Sequence, residues 1–271
     1  MLEVAALGSG SSGNSLLLRS ATTTLLIDCG FTLKETRARM ATLGVSLDST
    51  DAILISHEHG DHVKGVGPIS RKHGIPVWLT HGTLHRARDR RFPEIRVFHA
   101  HEPFAIGDIH VDPFPIPHDA AEPCQFVFES EGIRFANVTD LGACTPHVCE
   151  KLAGVNGLVV ECNYDPEMLR RGPYPPMLQA RIRSDWGHLG NDQAAELLAR
   201  LDHADLKHIL LGHLSEQNNS DEVALDTVCR HLKRDHERVH VLAQHACSQW
   251  FRIHSENAVL LEVPHAEVEP A

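Results

Sequence analysis

No stretch of the 271 residues approaches the ~20 consecutive apolar side chains that a helix needs to cross a bilayer. The first residues, Met1-Leu-Glu-Val-Ala-Ala-Leu-Gly8, offer neither a basic segment nor a long apolar one. Neither a membrane span nor a secretory leader is expected, and the expected compartment is the cytoplasm. The seven cysteines are odd in number and form no C-x-x-C pair, which fits free thiols in a reducing compartment better than a disulfide framework. Positive charge is also scarce. With 25 Lys and Arg against 36 Asp and Glu, the formal charge of −11 argues against a protein that coats nucleic acid through its overall field. A nuclease is still possible, because a metal site and local basic clusters can act on phosphates in an acidic protein. The sequence does have an ordinary globular share of apolar residues, 42%, and 21 histidines. One domain over residues 1–271 is the expectation.

Short β-like runs come first, at Leu2–Leu7, Ser15–Arg19 and Thr24–Asp28, around the loop Gly8-Ser-Gly-Ser-Ser-Gly-Asn14. Helical patterns at Leu33–Leu43, Val63–His73 and His81–Arg90 then alternate with strands at Ala52–Ser56 and Pro76–Leu79. A second β-rich stretch (Ile109–Pro115, Cys124–Glu129, Ile133–Thr139) leads to strands at Leu158–Glu161, Leu206–Leu211 and Val239–Ala243. Two similar halves of this kind predict an α/β fold of the αββα type, two mixed sheets packed face to face with helices outside. Residues 164–190, rich in Pro and Arg and without clean periodicity, read as an active-site insertion, and residues 255–271 as a terminal strand or tail.

The sharpest feature is Ser56-His-Glu-His-Gly-Asp-His62, directly after the apolar strand Asp51-Ala-Ile-Leu-Ile55. Alternate residues of an extended segment share a face, so His57 and His59 converge on one ion. Gly60 permits a sharp turn, which brings Asp61 and His62 toward a second. An isolated His-x-His is commonplace, but H-x-H-x-D-H at a strand end is specific. The glycine loop lacks the Lys-Ser/Thr of a phosphate-binding loop and runs into a strand, so it reads as a tight hairpin beside the site. Its Ser12 and Asn14 are candidates to touch substrate, with turn formation as their competing role.

The H-x-H-x-D-H string resembles the second motif of the metallo-β-lactamase superfamily, and the resemblance extends along nearly the whole chain. It implies a metallo-β-lactamase-type sandwich holding two divalent ions, Zn²⁺ or Mn²⁺. Asp28, in Leu25-Leu-Ile-Asp-Cys-Gly30, matches the first motif, whose aspartate supports the ligand loop without touching metal. His118, in Pro115-Ile-Pro-His-Asp-Ala120, matches the third motif and would complete the first site with His57 and His59. Asp140, in Val138-Thr-Asp-Leu-Gly142, matches the carboxylate that bridges both ions. His213, in Leu210-Leu-Gly-His-Leu-Ser215, would join Asp61 and His62 on the second. The flanking strings Leu7-Gly-Ser-Gly-Ser-Ser-Gly-Asn-Ser15, Glu161-Cys-Asn-Tyr-Asp165, His188-Leu-Gly-Asn-Asp192 and Leu211-Gly-His-Leu-Ser-Glu-Gln-Asn-Asn219 look most like the YycJ/WalJ group of exonucleases.

That likeness implies a metal-dependent phosphodiesterase, a DNA exonuclease with a nucleic acid substrate, in which a hydroxide shared by two ions ~3.5 to 4 Å apart attacks phosphorus. Asp61 and Asp140 would serve this chemistry directly. His188 resembles the histidine that tRNA-processing members of the superfamily place beside the scissile phosphate, as a stabiliser or proton donor. Its competing role is that of an ordinary helix-start residue before Asp192–Leu201. Arg181 and Arg183, with Arg170, Arg171 and the cluster Arg86, Arg88, Arg90 and Arg91, are candidates to grip phosphates, against the alternative of solvated helix faces. The rival functions are a small-molecule hydrolase, such as a thioesterase or a cyclic-nucleotide phosphodiesterase, and a non-catalytic metal-binding partner protein.

Overall fold

Along the first strand Leu2, Val4 and Ala6 alternate with Ala5 and Leu7, and all five are buried. Such a strand needs apolar cover on both faces, which a single sheet with one layer of helices cannot give it. The computed structural model, which describes residues 1–201, 205–232 and 236–254, supplies that cover with two packed sheets. The first half of the chain forms β1 (Leu2–Gly8), β2 (Ser15–Arg19), β3 (Thr24–Ile27), β4 (Ala52–Leu54), β5 (Val77–Thr80) and β6 (Ile95–Phe98). The second forms β7 (Phe104–Ile106), β8 (Ile109–Pro115), β9 (Cys124–Ser130), β10 (Ile133–Val138), β11 (Gly157–Glu161), β12 (His208–Gly212) and β13 (Val239–Val241), after which β14 (Phe251–Ile253) returns to the first sheet.

Among the described residues the sheets run β14-β1-β2-β3-β4-β5-β6 and β13-β12-β11-β10-β9-β8-β7. In each, an antiparallel meander passes into parallel strands: at β3 and β4 in one sheet, at β10 and β11 in the other. The central core lies between them, where Leu2, Val4, Leu25 and Leu54 meet Val111, Phe126, Phe135 and Leu210. Outside the first sheet, Leu17, Leu26 and Val77 pack on Met40 and Ile69 from helices Leu33–Thr42 and Val66–His73. Outside the second, Val138, Val160 and Leu211 pack on Val148, Leu197 and Val228 from helices Pro146–Leu152, Asn191–Leu201 and Asp221–Leu232. This is the αββα layering that the sequence pattern predicts.

Differences are local. The segment expected as one helix over Val63–His73 forms two, Gly60–Val63 and Val66–His73, because a loop carbonyl docks where a side chain at Gly65 would stand: its amide donates to Cys29 O at 2.8 Å, and an added methyl would overlap Phe31 O. The helix at His81 ends at Arg86, where Ala87 turns to extended backbone and sends the arginine cluster into a loop. Residues 164–190 form two short helices, Pro166–Arg171 and Pro176–Ile182. The three-residue edge strands β7 and β14 were too short to carry a period, as was the exposed edge β6. The expected terminal strand or tail at 255–271 lies outside the described residues.

Candidate metal centre

The candidate residues leave the sheets at the ends of β3, β4, β8, β10 and β12, so strands buried inside the sandwich fix the bases of the loops that carry them. Asp28, Asp140 and His213 each follow a strand and have φ of 54°, 58° and 56°. Among the described residues the only other non-glycine at positive φ is Glu131, in the turn between β9 and β10. Left-handed backbone at three non-glycine positions costs conformational energy, and its concentration at one place points to a site held by its surroundings. Backbone hydrogen bonds tie three loops together: Asn14 N to Asp61 O at 2.8 Å, Gly30 N to Asn14 O at 2.9 Å, and Cys29 N to His62 O at 2.6 Å. Gly30 lies so close to the Asp61 carbonyl that a β-carbon would overlap it.

Potential ligand atoms converge in overlapping groups: His57, His59 and His118; Asp61, His62 and His213; His57, His62 and Asp140; and Asp140, Glu161, His188 and His213. Asp140 spans them, with its carboxylate 3.2 Å from His62 Nε2, 3.6 Å from His213 Nε2 and 3.7 Å from His118 Nε2. The carboxylate of Asp61 stands 3.4 Å from His62 Nε2 and 3.5 Å from His213 Nε2. Burial pushes the His57 imidazole well below its usual range, and the neighbouring His62 charge adds to this. Its neutral ring has Nδ1 3.0 Å from Ser56 Oγ. Burial opposes charge on His213 as well, but the carboxylates of Asp140, Asp61 and Glu161 outweigh it and lift the ring to about 10. Asp140, despite its burial, is held well below the ordinary carboxylate range by His213 and His62.

Nε2 of His57, Nε2 of His213 and Oδ2 of Asp140 are buried without a hydrogen-bond partner. Stranding a polar atom in the interior costs ~1–3 kcal/mol, and divalent cations are partners such atoms can take, His57 with Asp140 in one group and His213 with Asp140 in another. The donors are imidazole and carboxylate with no thiolate, a set that suits zinc or manganese. The residues therefore fit divalent metal binding. Asp28 sits behind them, where its carboxylate accepts from Ser56 N and Ser56 Oγ, both at 2.8 Å, and meets His62 Nδ1 at 2.8 Å.

Glu161 had no role in the sequence reading. It is fully buried at the end of β11, and its Oε1 lies 2.7 Å from His213 Nδ1 and 2.8 Å from His188 Nδ1. Its Oε2 accepts from Leu141 N and Leu189 N at 2.9 and 3.0 Å. A carboxylate closing an apolar strand was the available signal, but its partners come from three distant segments. Burial opposes charge on His188, yet Glu161 raises that imidazole above its usual range. Asn163, also unassigned from sequence, donates to His213 O at 2.9 Å.

Two cavities meet at Ser11, His59, Asp61 and Asp119. The smaller, about 290 Å³, is lined by His118, Asp140, His188 and His213, with Tyr174, Leu178 and Arg181 from the 164–190 segment. Arg181 Nε donates to Asp119 Oδ2 at 2.6 Å. The larger, about 1070 Å³, runs along Glu58, Lys64, Arg86, Arg88 and Phe92. Ser12 is exposed on its wall, whereas Asn14 is buried and bonds Gly10 through its side chain, with Asp61 Oδ2 and His62 Nε2 each 3.2 Å away. Arg183 is exposed and lines neither cavity, and Arg170 and Arg171 pair with Glu167.

A face-to-face αββα sandwich with such a cluster at its strand ends defines a class. Residues 23–214 match the β-lactamase superfamily domain, and the chain belongs to that family, as a hydrolase of it. Among individual proteins, it is 35% identical over 240 residues to "Exodeoxyribonuclease YycJ" of Bacillus anthracis, covering 86% of this chain and 89% of that one. It is likewise 35% identical over 236 residues to "Exodeoxyribonuclease WalJ" of Streptococcus pneumoniae, covering 83% and 86%. The crystal structure of the metallo-β-lactamase fold protein YhfI from Bacillus subtilis shares the fold, with a TM-score of 0.72 at 13% identity over 91% of this chain and 98% of that one.

Proposed function

We propose that this hydrolase is a metal-dependent phosphodiesterase, a DNA exonuclease that works with two divalent ions, Zn²⁺ or Mn²⁺. His57, His59 and His118 would hold one ion, Asp61, His62 and His213 the other, with Asp140 between them. The observation that carries the reading is the set of buried, unpartnered imidazole and carboxylate atoms around Asp140, beside a protonatable His188 and in a chain whose relatives of similar length are named exodeoxyribonucleases. When bound, the ions would lower the pKa of water toward ~7 and offset negative charge on phosphoryl oxygens.

The chain's own residues do the rest. Asp28 fixes the ring of His62 and the turn at Ser56, so the ligand loop is set before metal arrives. Glu161 orients His188 through Nδ1 and favours its charged form, leaving Nε2 without a protein partner among the described residues. Positioned on the smaller cavity, His188 can hold a proton at Nε2 and pass it to the departing oxygen. Residues 164–190 act as an active-site insertion that walls this cavity with Tyr174, Leu178 and Arg181. We place the protein in the cytoplasm as a single domain. Its seven cysteines are all unpaired, which suits a reducing compartment, and no helix among the described residues is long and apolar enough to cross a membrane.

The test is to incubate purified protein with end-labelled single- and double-stranded DNA and RNA plus Mn²⁺ or Zn²⁺, and to size the products, with a glutathione thioester as a parallel substrate. Progressive shortening of DNA from one end is expected. Thioester turnover with no attack on any polynucleotide would replace the reading with that of a small-molecule hydrolase.

A further inference from the structure

The arginine cluster at 86–91 divides in the folded protein. Arg91 pairs with Asp89 at 3.3 Å and Arg90 Nε caps Ala87 O at 3.0 Å, so both are committed to the loop itself. Arg86 and Arg88 are exposed on the wall of the larger cavity, their side chains without an ion pair or hydrogen bond among the described residues. Lys64, one turn beyond the ligands Asp61 and His62, shares that wall, also without an ion pair. The acids of the lining are largely spoken for. Asp89 is neutralised by Arg71 at 2.9 Å as well as by Arg91, Asp119 by Arg181, and Asp61 belongs to the ligand cluster; Glu58 alone keeps its charge, its Oε1 accepting from the Ala121 amide at 2.9 Å and its Oε2 unpartnered. In a chain of net charge −11, Arg86 and Arg88, with Lys64, whose charge Glu35 also feels, face a cavity that opens onto the metal-ligand cluster.

Beside Ser11, Ser12, Thr83 and the ligand loop, the lining has an apolar part: Val63, Val66, Leu79, Ala87 and the half-buried ring of Phe92. Intact duplex presents phosphates outward and keeps its base faces stacked inside, so it has nothing to place on such a surface. An unpaired strand presents both, and grooves for single strands combine cations along the backbone with an aromatic on which bases stack. The volume, about 1070 Å³ against about 290 Å³ for the adjoining pocket, is at the top of the ~300–1,000 Å³ range of small-molecule sites. It suits a short run of nucleotides better than one compact ligand.

We infer that the Lys64, Arg86, Arg88 and Phe92 cavity is the track for an unpaired DNA strand, which runs along it to the ligand cluster while the end nucleotide occupies the smaller pocket. The assignment rests on the nuclease reading above. It means that the enzyme engages duplex only where the end has frayed or a single-stranded overhang is present.

Steady-state kinetics on the metal-loaded protein test it, with the variants Lys64→Ala/Arg86→Ala/Arg88→Ala and Phe92→Leu. The leucine keeps apolar bulk and tests stacking without emptying the wall. On a single-stranded DNA oligonucleotide the triple variant should raise KM at least tenfold with kcat within about twofold. Because single-strand binding scales as ~0.7 per phosphate contact in log–log salt plots, its salt slope should fall by about 2. Phe92→Leu should raise KM on the order of tenfold, within the ~1–3 kcal/mol per base that stacking contributes. Bis(p-nitrophenyl) phosphate, too small to reach Arg86, reports on the ligand cluster alone. An unchanged KM and salt slope on the oligonucleotide would overturn the track. Equal wild-type KM for blunt duplex and single strand would overturn its restriction to unpaired strands, and a KM rise seen with RNA but not DNA would overturn the choice of DNA. A wild-type protein that cleaves the small diester but no polynucleotide would sink the nuclease reading itself, an outcome separate from these.

Discussion

Asp28 is bonded to Ser56 twice and to His62 once, and its backbone lies in the left-handed region, so its side chain serves the ligand loop from behind. Asp28→Asn keeps the size but weakens the contact to His62, and metal affinity should fall ~10- to 100-fold; unchanged affinity by competition with a chelator would remove Asp28 from the site. His188 stands with Glu161 beside Asp140 and His213, in a group that could itself take a cation, but it lies outside the two groups assigned to the ions. His188→Ala should therefore keep its metal content while kcat falls ~10²- to 10⁴-fold on DNA, the range of general acid catalysis. The loss should shrink on a nitrophenyl diester, whose leaving group needs little protonation. An equal loss on both would point to charge stabilisation at phosphorus instead. His213 adds a pH dependence to the metal-free protein. Its folded value near 10 lies above the ordinary 6.5, so the imidazolium stabilises the fold below about pH 6.5, and that contribution fades as pH rises through about 10. For the same reason, metal uptake near pH 7.5 must displace that proton, and affinity should rise with pH. Calorimetry in buffers of different ionisation heat should register the released proton, and a heat independent of buffer would contradict the assignment.

At the scale of elements, the centre is made by loops that lean on one another through backbone atoms. Gly30 is the tightest joint, between the loop after β3 and the carbonyl of Asp61. Gly30→Ala should push that carbonyl away, destabilising the fold by the ~1–3 kcal/mol typical of overpacking and loosening the Asp61, His62 and His213 group more than the His57, His59 and His118 group. Thermal denaturation with metal-to-protein ratios would check both parts; a variant with native stability and full metal content would show that the loops adapt. The break at Gly65 has the same origin, a loop backbone occupying the space of a side chain. That cause is invisible to helical periodicity, which is why Val63–His73 reads as one helix in the sequence.

Across the whole molecule, two sheets of similar plan bury one face on each other and the other under helices, and the ligands gather from both sheets. His57, His59, Asp61 and His62 leave the first sheet; His118, Asp140 and His213 leave the second. Metal held as proposed would join the two halves and bind only their assembled form. Ligand at ~100 times its Kd stabilises a fold by about 2.7 kcal/mol. Since ~1 kcal/mol moves Tm by about 2–4 °C in large domains, chelation should lower Tm by roughly 5–10 °C. No shift would mean that the halves are held together without metal.

Much of this was legible in the amino-acid order. Apolar alternation marked the strands, their grouping marked two halves, and H-x-H-x-D-H after a strand marked the loop whose imidazoles and carboxylate converge, because each is a local pattern with a fixed period or spacing. Glu161 shows where that legibility stops: one buried carboxylate looks like any other strand end until His188, 27 residues on, and His213, 52 residues on, fold against the same oxygen. The four arginines at 86, 88, 90 and 91 likewise read alike in the sequence. Which of them close on the loop and which face the cavity depends on where Ala87 ends its helix and where Asp89 sits. Sequence spacing determined the types and order of the candidate ligands. Only the packing of two sheets decided which of them converge, which groups stand behind them, and what space lies in front.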